Sequence, residues 1–142
     1  MVSISELREE HRAIGEQAEA MLRIVAAPVA DAAAVARLRW KLAQALLDHT
    51  AHEEAPVYDH ILAFGDAAAA AAARRCRGEY GTLGAAFARY IADWPVDRIN
   101  RHWDEFRADT EVMMAAIAIR IAVEDDELYP LAEKIEARQR AA

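Results

Sequence analysis

Two histidines and two glutamates have the types and spacing of metal ligands. His49 and Glu53 are four residues apart, so on a helix both side chains project from one face about one turn apart, as two ligands of one ion must. Glu124 repeats the Glu53 position in the second half of the chain, and His11 lies within an otherwise apolar stripe near the start. Such a set suits Fe, Mn or Zn. The pattern predicts one metal site, formed by His11, His49, Glu53 and Glu124.

Helical periodicity predicts the first two helices that would position these ligands. Ser3 and Glu6 have the spacing of a capping box, and the helix that they begin should end where Pro28 interrupts the apolar stripe. Asp31 can cap a second helix carrying the His49 pair. Pro56 is expected to bend or end this helix.

The second half of the chain predicts two more long helices. Asp66 can cap the third, which Trp94-Pro95 should stop, and the fourth begins near Asp97, with a turn or short helix from Leu128 onward. Because four apolar stripes must be buried together, we expect an all-α, up-down-up-down four-helix bundle. Residues 1–142 should form one domain.

The chain also repeats itself weakly. Glu10-His11 aligns with Glu79-Tyr80, residues 49–54 align with residues 120–125, and Val57-Tyr58 aligns with Leu128-Tyr129. Each half is therefore predicted to be a helical hairpin of similar design, and the two hairpins would pair about a pseudo-twofold axis.

Composition narrows the classes of function. The net charge of −7 argues against nucleic acid or an anionic membrane surface as the main partner, because both require clustered Lys and Arg. No apolar run reaches the roughly 18 residues that a membrane span needs, and the polar, acidic start does not resemble a signal peptide. The single cysteine, Cys76, fits a reducing compartment and reads as a small buried hydrophobic residue. We therefore expect a cytoplasmic protein.

Three motifs together resemble the hemerythrin HHE cation-binding family over almost the whole chain. They are Glu10-His11, His49-x-x-x-Glu53-Glu54 with Tyr58, and Glu124-Asp125-x-x-Leu128-Tyr129-Pro130. The resemblance implies a bundle enclosing a non-haem di-iron site, with histidines on all four helices and bridging carboxylates from the second and fourth. It also implies binding of oxygen, or sensing of oxygen, nitric oxide, redox state or iron.

The chain departs from the family pattern on one side of that site. The third-helix histidine position holds Tyr80, its companion one turn later is Gly84, and the fourth-helix histidine position holds Arg120. By the resemblance, His11 and His49 would serve one metal, while the missing imidazoles would have held the other. The sequence is therefore similar to half a di-iron site.

Charge balance favours a mononuclear site. One divalent ion together with Arg120 would neutralise the charges of the two glutamates and of a Tyr80 phenolate. Tyr80 is therefore a fifth candidate residue of the metal site, as a ligand or as a nearby hydrogen-bond donor. A second metal ion would stand near the Arg120 cation, with a repulsion of roughly 3 kcal/mol at ~5 Å and an effective dielectric constant of about 20. A metal-free account also balances, if Arg120 and one protonated histidine neutralise both carboxylates.

The leading interpretation is a non-haem metal-binding protein that senses or binds a small ligand such as O2 or NO. Iron is the expected metal, with Zn or Mn as alternatives, and no enzymatic reaction is implied. A second hypothesis is a metal-free bundle in which Arg120 replaces the metal charge and the surface binds a protein partner. Di-metal oxidase or peroxide chemistry is a third. Among the other histidines, His52 is expected at the rim of the site, and His60 and His102 away from it.

Overall fold

The computed structural model describes residues 2–142, and these residues form helices and no strand. The expected all-α class is confirmed. The α-helices are α1 (Ile4–Ala26), α2 (Ala32–Glu53), α3 (His60–Phe64), α4 (Ala67–Asp93), α5 (Val96–Arg101), α6 (Trp103–Val123) and α7 (Tyr129–Ala141). Two π-helical segments, Glu54–Asp59 and Glu124–Leu128, connect α2 to α3 and α6 to α7.

Side-chain caps begin three of the helices where the sequence places them. Ser3 and Glu6 form both hydrogen bonds of a capping box at the start of α1. Asp31 and Asp66 accept hydrogen bonds from backbone N–H groups in the first turns of α2 and α4. These bonds satisfy amides that have no partner within the helix. The fourth predicted helix differs, because a break at His102 divides it into α5 and α6.

Both predicted glutamate ligands lie at the start of a widened, π-helical turn: Glu53 directly precedes one, and Glu124 is the first residue of the other. The π segment after α2 contains Pro56, whose missing N–H interrupts the α-helical hydrogen-bond pattern. The π segment after Val123 contains no proline, so proline is not the cause common to both. Such turns occur frequently at functional sites. The predicted bend at Pro56 is thus a local change of helical pitch, after which the chain stays helical to Phe64.

A layer of polar side chains separates two apolar clusters in the core. The larger cluster is built around Phe106, Trp94 and Leu42, and it includes the two methionines of α6, a helix that packs against α1 and α4. The smaller cluster is built around Leu7 and Tyr129 and includes Cys76, which is buried as expected. Along α1, His11 lies between Leu7 of one cluster and Ile14 of the other.

None of the helices formed by residues 2–142 is both long and apolar enough to cross a membrane.

The division of the core yields a first prediction. Phe106→Ala should lower the free energy of unfolding by about 3–5 kcal/mol, because a fully buried ring of the larger cluster is replaced by a cavity. Urea denaturation would measure the change. Val112→Ala on the same helix is the control, because this side chain is 71% exposed and should change the value by no more than about 0.5 kcal/mol. Similar losses in both variants would contradict the described packing of α6.

Candidate metal centre

The structure brings four of the five sequence-predicted ligands to one point. One nitrogen or oxygen atom from each of the four residues lies within 4.8 Å of the corresponding atom of every other. All four side chains are buried, and they come from α1, from the last two turns of α2 and from the start of the π segment that follows α6. The group consists of His11, His49, Glu53 and Glu124.

The nitrogen and oxygen atoms at the centre of this group are in mutual contact. His11 Nε2 lies 2.9 Å from His49 Nε2 and 3.0 Å from Glu124 Oε1. His49 Nε2 lies 3.2 Å from Glu53 Oε2 and 3.6 Å from Glu124 Oε1. The Nε2 atoms of both imidazoles therefore face both carboxylates.

Two further carboxylates determine which ring nitrogens carry the protons. His11 Nδ1 lies 2.8 Å from Asp125 Oδ1, and His49 Nδ1 lies 2.8 Å from Glu10 Oε1. Because a carboxylate can only accept, each Nδ1–H donates, and each neutral imidazole presents the Nε2 lone pair to the centre. This is the arrangement typical of metal-binding histidines, whose second nitrogen is held by a carboxylate.

Two tyrosines, Tyr58 and Tyr129, hold the buried glutamates. The Tyr58 hydroxyl donates to Glu124 Oε2 at 3.0 Å, and the Tyr129 hydroxyl donates to Glu53 Oε2 at 2.8 Å. Each tyrosine thus contacts the carboxylate of the other half of the chain. The Tyr129 oxygen also lies 3.1 Å from His11 Nε2 and 3.3 Å from His49 Nε2.

Sequence reasoning missed Tyr58 and Tyr129 as site residues, although a signal for them exists. The internal repeat aligns Val57-Tyr58 with Leu128-Tyr129, and each tyrosine lies five residues after a predicted glutamate ligand. The structure also places Asp125 against His11 Nδ1, a contact that helical spacing does not predict.

The chemistry of this donor set fits a metal ion. Two imidazole Nε2 atoms and two carboxylates converge, and the Tyr58 and Tyr129 hydroxyls donate one hydrogen bond to each carboxylate. Glu53 Oε1 is buried without a hydrogen-bond partner in the described part of the chain. A buried acceptor without a partner costs about 1–3 kcal/mol, and more when it is charged. A cation among these atoms would interact with all of them at once.

Proton affinities show the same excess of negative charge. Burial by itself would lower the pKa of His49, but hydrogen bonds to Glu124 and Glu53 raise it to about 10. Burial raises the pKa of Glu53, as does the nearby Glu124 charge. Burial would also raise the pKa of Glu124, but its hydrogen bonds to His11 and His49 bring it below its usual value. A positive charge at the centre is therefore favoured, whether a proton or a metal ion supplies it.

Arg120 does not pair with the central carboxylates. Its Nη2 donates to Glu79 Oε2 at 2.8 Å, and its guanidinium lies 5.7 Å from the centroid of the Tyr80 ring. The ion pair of Arg120 is thus with Glu79 rather than with Glu53 or Glu124, and Glu124 acts on the guanidinium as a nearby charge. Because the Glu79 carboxylate neutralises the Arg120 guanidinium, one divalent ion would neutralise the charges of Glu53 and Glu124 without a Tyr80 phenolate.

Tyr80 lies beside Arg120, with the guanidinium over its ring, and its hydroxyl is a neighbour of the Thr50 hydroxyl. Burial raises the pKa of its hydroxyl above the ordinary value, the neighbouring Thr50 hydroxyl acts in the opposite direction, and the charges of Glu124 and Glu53 raise it again. The ionised form is thus disfavoured while the centre carries its negative charge. A role for Tyr80 as a ligand stays a prediction.

Comparison with known proteins agrees with this geometry. The model of the hemerythrin HHE cation-binding domain matches residues 2–132. The chain belongs to this family. No curated protein and no solved structure matches it significantly. The expected family is confirmed, and with it the general class of cation-binding function.

The remaining histidines lie where the sequence suggests, with one addition. The His52 side chain is 44% exposed at the rim of the HHE site, and its Nδ1 contacts Glu10 Oε2 at 2.6 Å. Glu10 therefore connects His52 with the ligand His49. His102 is exposed in the break between α5 and α6.

The tyrosine contacts generate a second prediction. In protein stripped of metal with a chelator, Tyr129→Phe should lower the free energy of unfolding by about 1.5–3 kcal/mol, because Glu53 loses a donor to a buried carboxylate. Tyr58→Phe should behave in the same way. Both values come from urea denaturation.

Tyr90→Phe is the matched control. Tyr90 is also buried, but its hydroxyl pairs with the neutral Thr110 hydroxyl in the larger apolar cluster. Its loss should amount to about 1 kcal/mol. If Tyr129→Phe were no more destabilising than this control, the tyrosine would not be holding a charged partner.

Proposed function

We propose that this HHE protein binds one divalent cation, with iron as the physiological metal, and acts as a sensor or binder of a small ligand such as O2 or NO. The proposed ligands are His11, His49, Glu53 and Glu124. One observation carries the proposal: buried lone pairs from these four residues converge within 4.8 Å, and both imidazoles are oriented by carboxylates on their far nitrogens. Zn or Mn would suit the same donor set.

A single metal ion fits better than two. Tyr80 and Arg120 occupy positions where the family resemblance implies histidines, and their side chains contact each other. Arg120 keeps its charge: burial by itself would lower its pKa, but hydrogen bonds to Glu79 and Cys76 and the nearby Glu124 charge together raise it. A second cation on this side would be repelled by a buried guanidinium. The four ligands then hold one ion, and Tyr80 is proposed as the fifth group beside it.

The protein's own residues would set the properties of the bound ion. Tyr58 and Tyr129 orient the carboxylates, while Asp125 and Glu10 hold the imidazoles. The two apolar clusters exclude water on both sides of the layer. Iron held in such a site supplies a redox couple and an affinity for small diatomic molecules. These properties suit a sensor, and they require no substrate turnover.

We also propose that the helices form the up-down-up-down bundle and the single domain expected from the sequence. The packing of α1 against both α2 and α6, and of α4 against α6, supports this arrangement. The connections between successive long helices are short enough for antiparallel neighbours.

Metal content gives a third prediction. The purified protein should contain or take up about one metal ion per chain, and its melting temperature should fall when a chelator removes the ion. His49→Ala should reduce metal content to less than about a tenth of the wild-type value, because one ligand and the partner of Glu10 are lost. Elemental analysis and thermal unfolding with and without chelator measure both effects.

His102→Ala is the control for His49→Ala, since it removes an exposed imidazole outside the site. It should leave the metal content unchanged. Metal retention by His49→Ala at the wild-type level, or equal loss in both variants, would place the cation elsewhere.

The role of Tyr80 gives a fourth prediction. After anaerobic loading with ferrous iron and exposure to air, a tyrosinate-to-iron charge-transfer band should appear and be absent from Tyr80→Phe. Tyr129→Phe is the informative comparison, because its hydroxyl lies within 3.3 Å of both histidines yet donates to Glu53. A band that survives in Tyr80→Phe and disappears in Tyr129→Phe would remove Tyr80 from the ligand set.

A further inference from the structure

An apolar cavity of about 200 Å³ lies between α2 and α4. Leu46, Leu47 and Thr50 line it from α2, and Tyr80, Gly84 and Phe87 are among the residues that line it from α4. Leu47 is 68% exposed, so the cavity opens to solvent beside this side chain. The lining residues differ from the four proposed metal ligands.

The cavity lies against a glycine within a long helix. A Cβ atom added at Gly84 would meet no other atom within 4 Å. A glycine in a helix interior destabilises the helix by roughly 0.5–1 kcal/mol relative to alanine, and packing gives no reason for this one. The absence of a side chain at Gly84 keeps the space beside Phe87 and Leu47 open.

The lining limits the chemistry of an occupant. The residues around the cavity are apolar except for two hydroxyl groups, those of Thr50 and Tyr80, and none of them is charged. The Thr50 hydroxyl donates to the Leu46 carbonyl, and its oxygen, beside the Tyr80 hydroxyl, can accept a hydrogen bond. An ionised molecule would lose its hydration here without gaining a counter-charge. A neutral molecule with an apolar ring and one hydrogen-bond donor matches both the walls and the hydroxyl groups.

The volume limits the size of the occupant. An apolar cavity of about 150 Å³ holds benzene, whereas sites for drug-sized ligands have volumes of roughly 300–1,000 Å³. The volume of about 200 Å³ lies between these two cases. One ring with one or two small substituents would fill it.

We propose that this cavity is a binding site for a small neutral aromatic molecule of phenol type, whose hydroxyl group bonds to Thr50 and Tyr80 and whose ring packs against Phe87 and Leu46. This inference does not depend on the four proposed metal ligands, none of which lines the cavity, and it shares only Tyr80 with the metal proposal. The Tyr80 ring faces the cavity and also contacts Arg120. An occupant would therefore lie one side chain away from the buried guanidinium.

Calorimetric titration of the purified full chain with p-cresol tests the proposal. Saturable binding with one site per chain is expected. Gly84→Leu should weaken binding by roughly tenfold or more, because the leucine side chain would occupy the cavity. Gly81→Leu is the matched control: Gly81 lies on the same helix, is exposed with equally open space, and does not line the cavity. Its affinity should equal that of the wild type.

Two further measurements test the chemistry of the occupant. Thr50→Val keeps the shape of the side chain, removes the hydroxyl group and should weaken p-cresol binding about fivefold. The anion p-toluate has the same ring and should not bind. No saturable binding of p-cresol, equal loss of affinity in Gly84→Leu and Gly81→Leu, or binding of p-toluate as tight as that of p-cresol would each overturn the proposal. Metal content measured on the same samples keeps this outcome separate from that of the metal site.

Discussion

Four buried electron-pair donors, from His11, His49, Glu53 and Glu124, lie closer together than their charges allow without a positive partner. When both imidazoles are neutral, their Nε2 lone pairs stand 2.9 Å apart, and each faces a carboxylate. In a low-dielectric interior, such an arrangement is unfavourable until a cation or a proton occupies its centre. The neighbouring features follow from this constraint, because each of them either fixes a donor in place or separates the layer from water.

Each half of the chain helps to hold the buried glutamate of the other half in place. Helices α2 and α6 each continue into a π segment. The tyrosine five residues after each glutamate donates a hydrogen bond to the glutamate of the other half. A π segment contains an extra residue per turn, which rotates the following residues relative to the preceding ones. We infer that this rotation directs Tyr58 and Tyr129 inward while the next residues still bury Ile61 and Ala132 in the smaller apolar cluster. Function and packing are thereby satisfied by the same helix.

Local rules predicted much of this from the sequence, and the failures have a physical origin. The caps at Ser3, Asp31 and Asp66 depend on a few consecutive residues, so spacing alone was sufficient. The glutamate and histidine ligands could be selected because polar residues interrupt apolar stripes at helical spacing. The Arg120–Glu79 pair could not, because it depends on the relative rotation of α4 and α6, and a long side chain can reach several partners. The tyrosine contacts were missed for the same reason, since they cross between the two halves.

The stability of the folded state does not explain why the core contains a polar layer. Buried ion pairs can often be replaced by apolar side chains at no cost in stability, so a layer of this kind indicates a requirement other than folding. The four-member cluster draws its residues from α1, α2 and the π segment after α6, whereas α4 contributes none of them. Instead, α4 contributes Tyr80 and Gly84 to the cavity that it forms with α2. Tyr80 also contacts Arg120, so a molecule in this cavity would change the surroundings of the buried guanidinium and not those of the four-member cluster directly.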